Sequence, residues 1–255
     1  ALPKTLNDVG ENTCKNCSLL ATVIIPMGIR KVGKNAFCNC TSLTSVSLSA
    51  TVTEISAFAF YGCTSLETLV LPSSMRILGE SSFESCGLTS IVIPVGVTSI
   101  SSAFKNCTAL VSATLSGSIT DLKSAFYGCT SLTIINNYPN ITYLDENCFY
   151  NCPLTTFEIP EGIKEIRSGA MYQYNIQDLT IPESVVEMGM LALYSDNGDT
   201  ITLKSSTPPN ITNNSIKGEA LSAIYIPKES LTSYLNASNW NNIDFTDKYV
   251  EYEVN

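Results

Sequence analysis

Apolar and polar positions alternate along short stretches of this chain, then break, and the same alternation returns about every 22 residues. Leu66, Leu69 and Leu71 take one side while Thr68 and Val70 take the other. A period of two predicts a strand with one buried face. Equivalent strands send Val23 and Ile25, Val46 and Leu48, Ile91 and Ile93, Ala113 and Leu115, Phe157 and Ile159, and Leu179 and Ile181 inward. Proline follows at Pro26, Pro72, Pro94, Pro160 and Pro182. It cannot donate to a ladder, so it closes the strand. Two apolar residues spaced three apart come next, as in Ile29 and Val32, Val52 and Ile55, Met75 and Leu78, Val97 and Ile100, or Ile163 and Ile166. These line a second wall. A small residue and a phenylalanine end the unit: Ala36-Phe37, Ala59-Phe60, Ser82-Phe83, Ala103-Phe104 and Ala125-Phe126.

Cysteine keeps step, at Cys17, Cys40, Cys63, Cys86, Cys107, Cys129 and Cys152. Phe37, Phe60, Phe83, Phe104, Phe126 and Phe149 each stand three residues before a member of that series. A period of this length predicts a solenoid: one unit cannot bury its apolar face alone and stacks on its neighbours. About nine or ten coils are expected, at the strand spacing of roughly 4.8 Å.

The ends depart from the pattern. Leu2-Pro3, Leu6, Val9 and Cys14 align with Ile25-Pro26, Ile29, Val32 and Phe37, so the first repeat lacks its strand. Met171 and Leu193 replace phenylalanine, and Tyr174 replaces cysteine. After Gly198 the period decays, with strand-like runs at 200–204 and 222–226. Leu231, Tyr234 and Leu235 predict a short amphipathic helix, which with Trp240 and Ile243 reads as a C-terminal cap. The expected organisation is repeats over 1–198, then a degenerate repeat and cap over 199–255.

The template C-x-x-L-x-x-V-x-L-P-x-x-V-x-x-I-x-x-x-A-F-x-x resembles the leucine-rich repeat of the BspA (treponemal) type, over roughly residues 2–196. The tail, with Ile224-Tyr225-Ile226-Pro227, Ser230, Tyr234, Trp240 and Ile243, resembles a recurrent ending of such bacterial surface proteins. The resemblance implies a leucine-rich-repeat solenoid: a right-handed coil, mostly β with little helix. A parallel sheet covers one face, with short strands or helical turns on the other. It also implies an extracellular or cell-surface setting, in which some members act as adhesins.

Composition narrows the chemistry. Formal charge is −9, with no histidine. The acidic balance argues against nucleic acid, whose binding rests on clustered positive charge. No stretch reaches 18 consecutive apolar residues, so no membrane insertion is expected within the chain. Without histidine the commonest general base and metal ligand are missing. No enzyme activity, metal or cofactor is expected. Acid pairs such as Glu158 and Glu161, or Glu183 and Glu187, read as solvated surfaces rather than a glycosidase dyad. The loop Ser195-Asp196-Asn197-Gly198-Asp199 reads as a simple turn rather than a calcium loop.

The seven column cysteines are expected as a reduced inner ladder, with Cys14 and Cys148 buried in neighbouring columns and Cys38 as an exposed thiol. Disulfides between neighbouring coils, or zinc at Cys14-x-x-Cys17, are weaker readings. Sequons occur at Asn16, Asn39, Asn106, Asn140, Asn210, Asn213 and Asn236, three of them spelled by the repeat itself. They read as incidental unless the source is eukaryotic.

The solvent side of the sheet is expected to carry Thr22, Ile24, Ser45, Ser47, Thr68, Val70, Ser90, Val92, Ser112, Thr114, Ile134, Asn136, Thr156, Glu158, Asp178 and Thr180. Solenoids commonly bind along such a face. The expected function is recognition or adhesion by a monomer. Its partner would be a host matrix protein, another microbial surface protein or a glycan. The alternatives are a spacer segment of a larger surface protein and a carboxylate-dependent glycan hydrolase. The hydrolase would need a cluster of acids that this stripe does not show.

Overall fold

The structure is a computed structural model that describes residues 8–138, 141–212, 214–216, 221–241 and 243–253. Leu2, Pro3, Leu6, the sequons at Asn140 and Asn213, and the Ile243 side chain lie outside the described set. The chain forms a parallel β-solenoid of about ten turns, which divides into two compact units, Ala1–Asn140 and Ile141–Asn255.

In the first unit the alternating segments form strands Thr22–Ile25 and Ser45–Leu48, which pair in parallel, and Ser90–Val92, Ser112–Thr114 and Ile134–Asn136, which form a second parallel group. The second wall is a four-stranded parallel sheet of Asp8–Val9, Lys31–Val32, Glu54–Ile55 and Ile77–Leu78. Its register pairs Val9 with Val32 and Val32 with Ile55, as the repeat alignment requires.

A third side carries the phenylalanine turn. Here one coil donates directly to the next: Phe37 N–H to Ala59 O at 2.8 Å, Phe60 N–H to Ser82 O at 2.8 Å, and Phe83 N–H to Ala103 O at 2.9 Å. The rings below stack in one file. Phe37, Phe60, Phe83, Phe104 and Phe126 are spaced 5.2, 5.5, 5.6 and 5.8 Å between centroids, with planes within 16°. All five are buried.

That turn needs the left-handed region twice per coil. One such position stands just before each column cysteine, as at Asn16, Asn39, Gly62, Ser85, Asn106, Gly128 and Asn151. The other stands two residues before the phenylalanine column, as at Asn12, Asn35, Phe58, Ser81, Ser102, Ser124 and Asn147. Asn and Gly suit φ > 0, whereas a bulky residue such as Phe58 is strained there. Gly79 answers a different need: a Cβ there would lie 2.3 Å from the Ala57 backbone nitrogen.

The second unit repeats the plan. Its back sheet runs Tyr143–Leu144, Glu165–Ile166, Glu187–Met188 and Asn210–Ile211. Its face sheet runs Asp178–Ile181, Thr200–Leu203, Ala223–Pro227 and Tyr249–Tyr252, all parallel. The expected helix is present as Leu231–Asn236, with Tyr234 as its buried residue. Trp240 is fully buried and donates to Pro209 O at 2.7 Å, while the Tyr234 hydroxyl donates to Ser205 O at 2.7 Å. The tail does more than cover a coil, because its last strand, Tyr249–Tyr252, extends the face sheet in register with Ala223–Pro227.

Two expected strands do not pair. Residues 68–71 and 157–159 keep the predicted alternation, with Leu69, Leu71, Phe157 and Ile159 buried, but neither segment belongs to a ladder. Side-chain burial fixes which face points inward without requiring that neighbouring backbones close to bonding distance.

Candidate binding face

The outward positions of the paired strands superpose coil on coil. Thr22 pairs with Ser45 and Ile24 with Ser47. Ser90, Ser112 and Ile134 form one row, and Val92, Thr114 and Asn136 the next. Fourteen of the sixteen residues expected on this face are exposed, and Ser112 and Thr114 are half-buried. In the first unit the row carries no charge. It presents apolar side chains instead: Val70 is 82% exposed, Val92 64% and Ile24 60%.

The unpaired segments open shallow clefts. One of about 300 Å³ lies between residues 45–48 and 68–72, and one of about 400 Å³ between 68–73 and 90–94. A larger one, about 700 Å³, lies in the second unit between residues 155–161 and 176–182. It differs in charge. Glu158, Glu161 and Asp178 line it, and Lys204 closes one side through a 2.8 Å ion pair to Glu161. The face also runs further than the sequence reading placed it. Thr200 pairs with Asp178 and with Ala223, and Thr202 with Thr180 and with Tyr225. The run at 200–204 carried the same alternation, so the signal was present.

The cysteine file is built from thiol–carbonyl hydrogen bonds. Cys40 donates to Cys14 O at 3.1 Å, Cys63 to Phe37 O at 3.2 Å, Cys86 to Phe60 O at 3.1 Å, Cys107 to Phe83 O at 3.1 Å, and Cys129 to Phe104 O at 3.1 Å. Burial pushes Cys40 up to about 12, and Cys86 and Cys107 well above the usual thiol range. The Cys40, Cys86 and Cys107 sulfurs are poor nucleophiles and poor ligands as they stand.

Three expectations need correction. Cys17, expected inside the ladder, is exposed, and Cys14, expected buried, is half-buried. Column membership sets the direction of a side chain, while its cover comes from the residues packed around it. Cys38, expected as an exposed thiol, is buried. Its column otherwise holds long side chains, Lys15 before it and Tyr61 after it, and a short one between them is covered. The same column builds a surface feature not anticipated from sequence: Tyr150, Tyr172 and Tyr194 stack at 4.3 and 4.9 Å.

The turn at 195–199 is tied to the preceding coil. Ser195 Oγ donates to Tyr174 O at 3.5 Å, and Asn197 Nδ2 donates to Asn175 Oδ1 at 3.0 Å. Asp199 is buried there with no hydrogen-bond partner for either oxygen. Desolvation raises its carboxyl, and the Asp178 charge adds to it. Among the described residues, no group of three or more Cys, Asp or Glu side chains is arranged to hold a metal ion. Among them also, no helix is long and apolar enough to cross a membrane.

The repeat geometry agrees with a family model. A BspA-type leucine-rich repeat region matches residues 1–110 and 122–246 in six copies. The chain belongs to the BspA-type leucine-rich repeat family. Solved structures of bacterial leucine-rich repeat proteins share its fold. A leucine-rich repeat protein from Bacteroides ovatus ATCC 8483 superposes with a TM-score of 0.76 at 23% identity, over 99% of this chain and 66% of that one. The T. pallidum leucine-rich repeat protein TpLRR is 31% identical with a TM-score of 0.55, over 59% of this chain and 74% of its own. The pneumococcal vaccine antigen PcpA reaches a TM-score of 0.64 at 17% identity, over 98% of this chain and 72% of that one. No curated protein matches the chain. What these matches share with it is the coil, which makes it a repeat module.

Proposed function

We propose that this BspA-type chain is a non-enzymatic recognition module of a cell-surface or secreted protein. In this reading it acts as a monomer and binds along the exposed side of its face sheet. The partner is a host matrix protein, another microbial surface protein or a glycan. The observation that carries the reading is the uncharged row of the first unit, where Ile24, Val70 and Val92 stand exposed among Ser and Thr on a chain whose net charge is −9. Apolar side chains held outward, Ile24 and Val92 on paired strands and Val70 on the unpaired segment between them, supply contact area. The threonine and serine hydroxyls between them supply hydrogen bonds.

The test is binding of the purified chain to panels of matrix proteins, microbial surface proteins and glycans. A variant with Thr68→Glu, Ser90→Glu and Ser112→Glu is run in parallel. Loss of binding in the variant, with unchanged unfolding, supports the face. Equal binding by both chains removes the face from the account, and turnover of any polysaccharide in the panel would replace recognition by hydrolysis.

A further inference from the structure

Nine of the ten cysteines are buried or half-buried, and the tenth, Cys17, sits where chemistry is possible. Two features set the first coil apart. Position 14 belongs to the phenylalanine column, so only here does a thiol, not a ring, stand three residues before a column cysteine. In later coils both positions point inward, as the burial of Phe37 and Cys40 shows, so Cys14 and Cys17 share one side of their turn.

The turn itself is held for pairing. Cys17 N–H donates to Cys14 O at 3.1 Å, with Asn16 left-handed at φ 62°. A turn closed in this way brings its end Cα atoms under about 7 Å, which overlaps the roughly 4.4–6.8 Å span of a disulfide. The next coil fixes the backbone on both sides, through Cys14 N–H to Ala36 O and Asn16 N–H to Cys38 O, each at 2.7 Å. The Cys17 sulfur stands near enough to act on the ionisation of the Cys14 thiol.

We propose that Cys14 and Cys17 form a reversible disulfide, the one redox-active site among these ten cysteines. Burial, and then the neighbouring Cys17 thiol, push the Cys14 thiol above its usual range, so exposed Cys17 is the attacking sulfur and Cys14 the resolving one. A low-molecular-weight disulfide is the oxidant. The Cys17 thiolate attacks one of its sulfurs, forming a mixed disulfide and releasing the other half as a thiolate. The Cys14 thiol then loses its proton to solvent, and its sulfur attacks the Cys17 sulfur and expels the second half. Two protein thiols are oxidised and one small disulfide is reduced to two thiols. The column cysteines from Cys40 to Cys129 do not follow, because each is held on a backbone carbonyl inside the core.

The test equilibrates the full chain in glutathione buffers of increasing oxidation, blocks free thiols after denaturation, and maps peptides without reduction. Trypsin cuts after Lys15, between the two cysteines, so the disulfide appears as a cross-link between peptides 5–15 and 16–30. The expected result is that cross-link, lost again in reducing buffer, with the remaining cysteines blocked as thiols. In Cys14→Phe, which restores the column residue, Cys17 stops at the glutathione adduct. The proposal is overturned if Cys14 and Cys17 are both blocked as thiols across the whole range. It is equally overturned if Cys17 cross-links to the Cys40 peptide, or if Cys14→Phe leaves Cys17 as a free thiol.

Discussion

Replacing Phe83 with alanine removes the middle of the aromatic file. The ring lies 5.5 Å from Phe60 and 5.6 Å from Phe104, nearly parallel to both, and is fully buried. Burial loss and the remaining cavity cost about 3–5 kcal/mol for a Phe→Ala change. Two ring pairs, each worth about 0.5–1.5 kcal/mol beyond area, put this site at the upper end. Against a domain stability of about 5–15 kcal/mol, the first unit loses a third or more. Phe83→Leu keeps most of the volume and loses only the stacking, so it costs about 1.5 kcal/mol. Trp240 lies in the second unit, whereas Phe83 lies in the first. The assay is therefore urea unfolding read by exposure of the Cys63 and Cys86 thiols, which are buried in the first. A loss below about 1 kcal/mol for Phe83→Ala, the size of an ordinary surface change, would refute the stacked file. So would equal losses for alanine and leucine.

Phe58→Asn is expected to stabilise. Phe58 holds φ 58° in a column that elsewhere carries Asn12, Asn35 and Asn147. A left-handed non-glycine residue costs about 1–2 kcal/mol, and the lost edge contact to Tyr61 leaves a gain of about 0.5 kcal/mol, visible as a higher urea midpoint. Asp199→Asn is expected to stabilise in a pH-dependent way. The folded carboxyl is raised by burial, so its proton is bound more tightly in the native state. The wild-type contribution is fully present below the ordinary carboxyl range and is lost as pH rises through the raised value. The variant should gain about 1–3 kcal/mol at pH 7 and nothing at pH 3. A gain of the same size at both pH values would contradict the buried charge.

Much of the coil was legible because each unit repeats the same side-chain chemistry. The alternation at Val23 and Ile25, the closing proline at Pro26, and the pair Ile29 and Val32 each name one wall, and the structure buries Val23, Ile25, Ile29 and Val32. What the pattern could not show is whether neighbouring backbones bond. Residues 68–71 and 157–159 satisfy the alternation and remain outside the ladder, and this is where the face opens into clefts. The left-handed columns were legible in principle, since Asn, Gly or Ser precedes each of the column cysteines from Cys17 to Cys152. Hydrophobic periodicity passes over them because they are polar and lie on the turn. Cys17 and Cys38 went astray for a different reason: column membership gives direction, while exposure also depends on what lies above and beside the residue. The last strand, Tyr249–Tyr252, was hidden because its outer residues are half-buried or exposed and its alternation is weak.

The most direct test of the stacked files is the rate at which each thiol is trapped in the native protein, resolved by peptide mapping. The account predicts that Cys17 reacts at once and that Cys40, Cys63, Cys86, Cys107, Cys129 and Cys152 react more slowly by about a thousandfold or more, opening only with their coils. Trapping of those six at a rate comparable to Cys17 would contradict it.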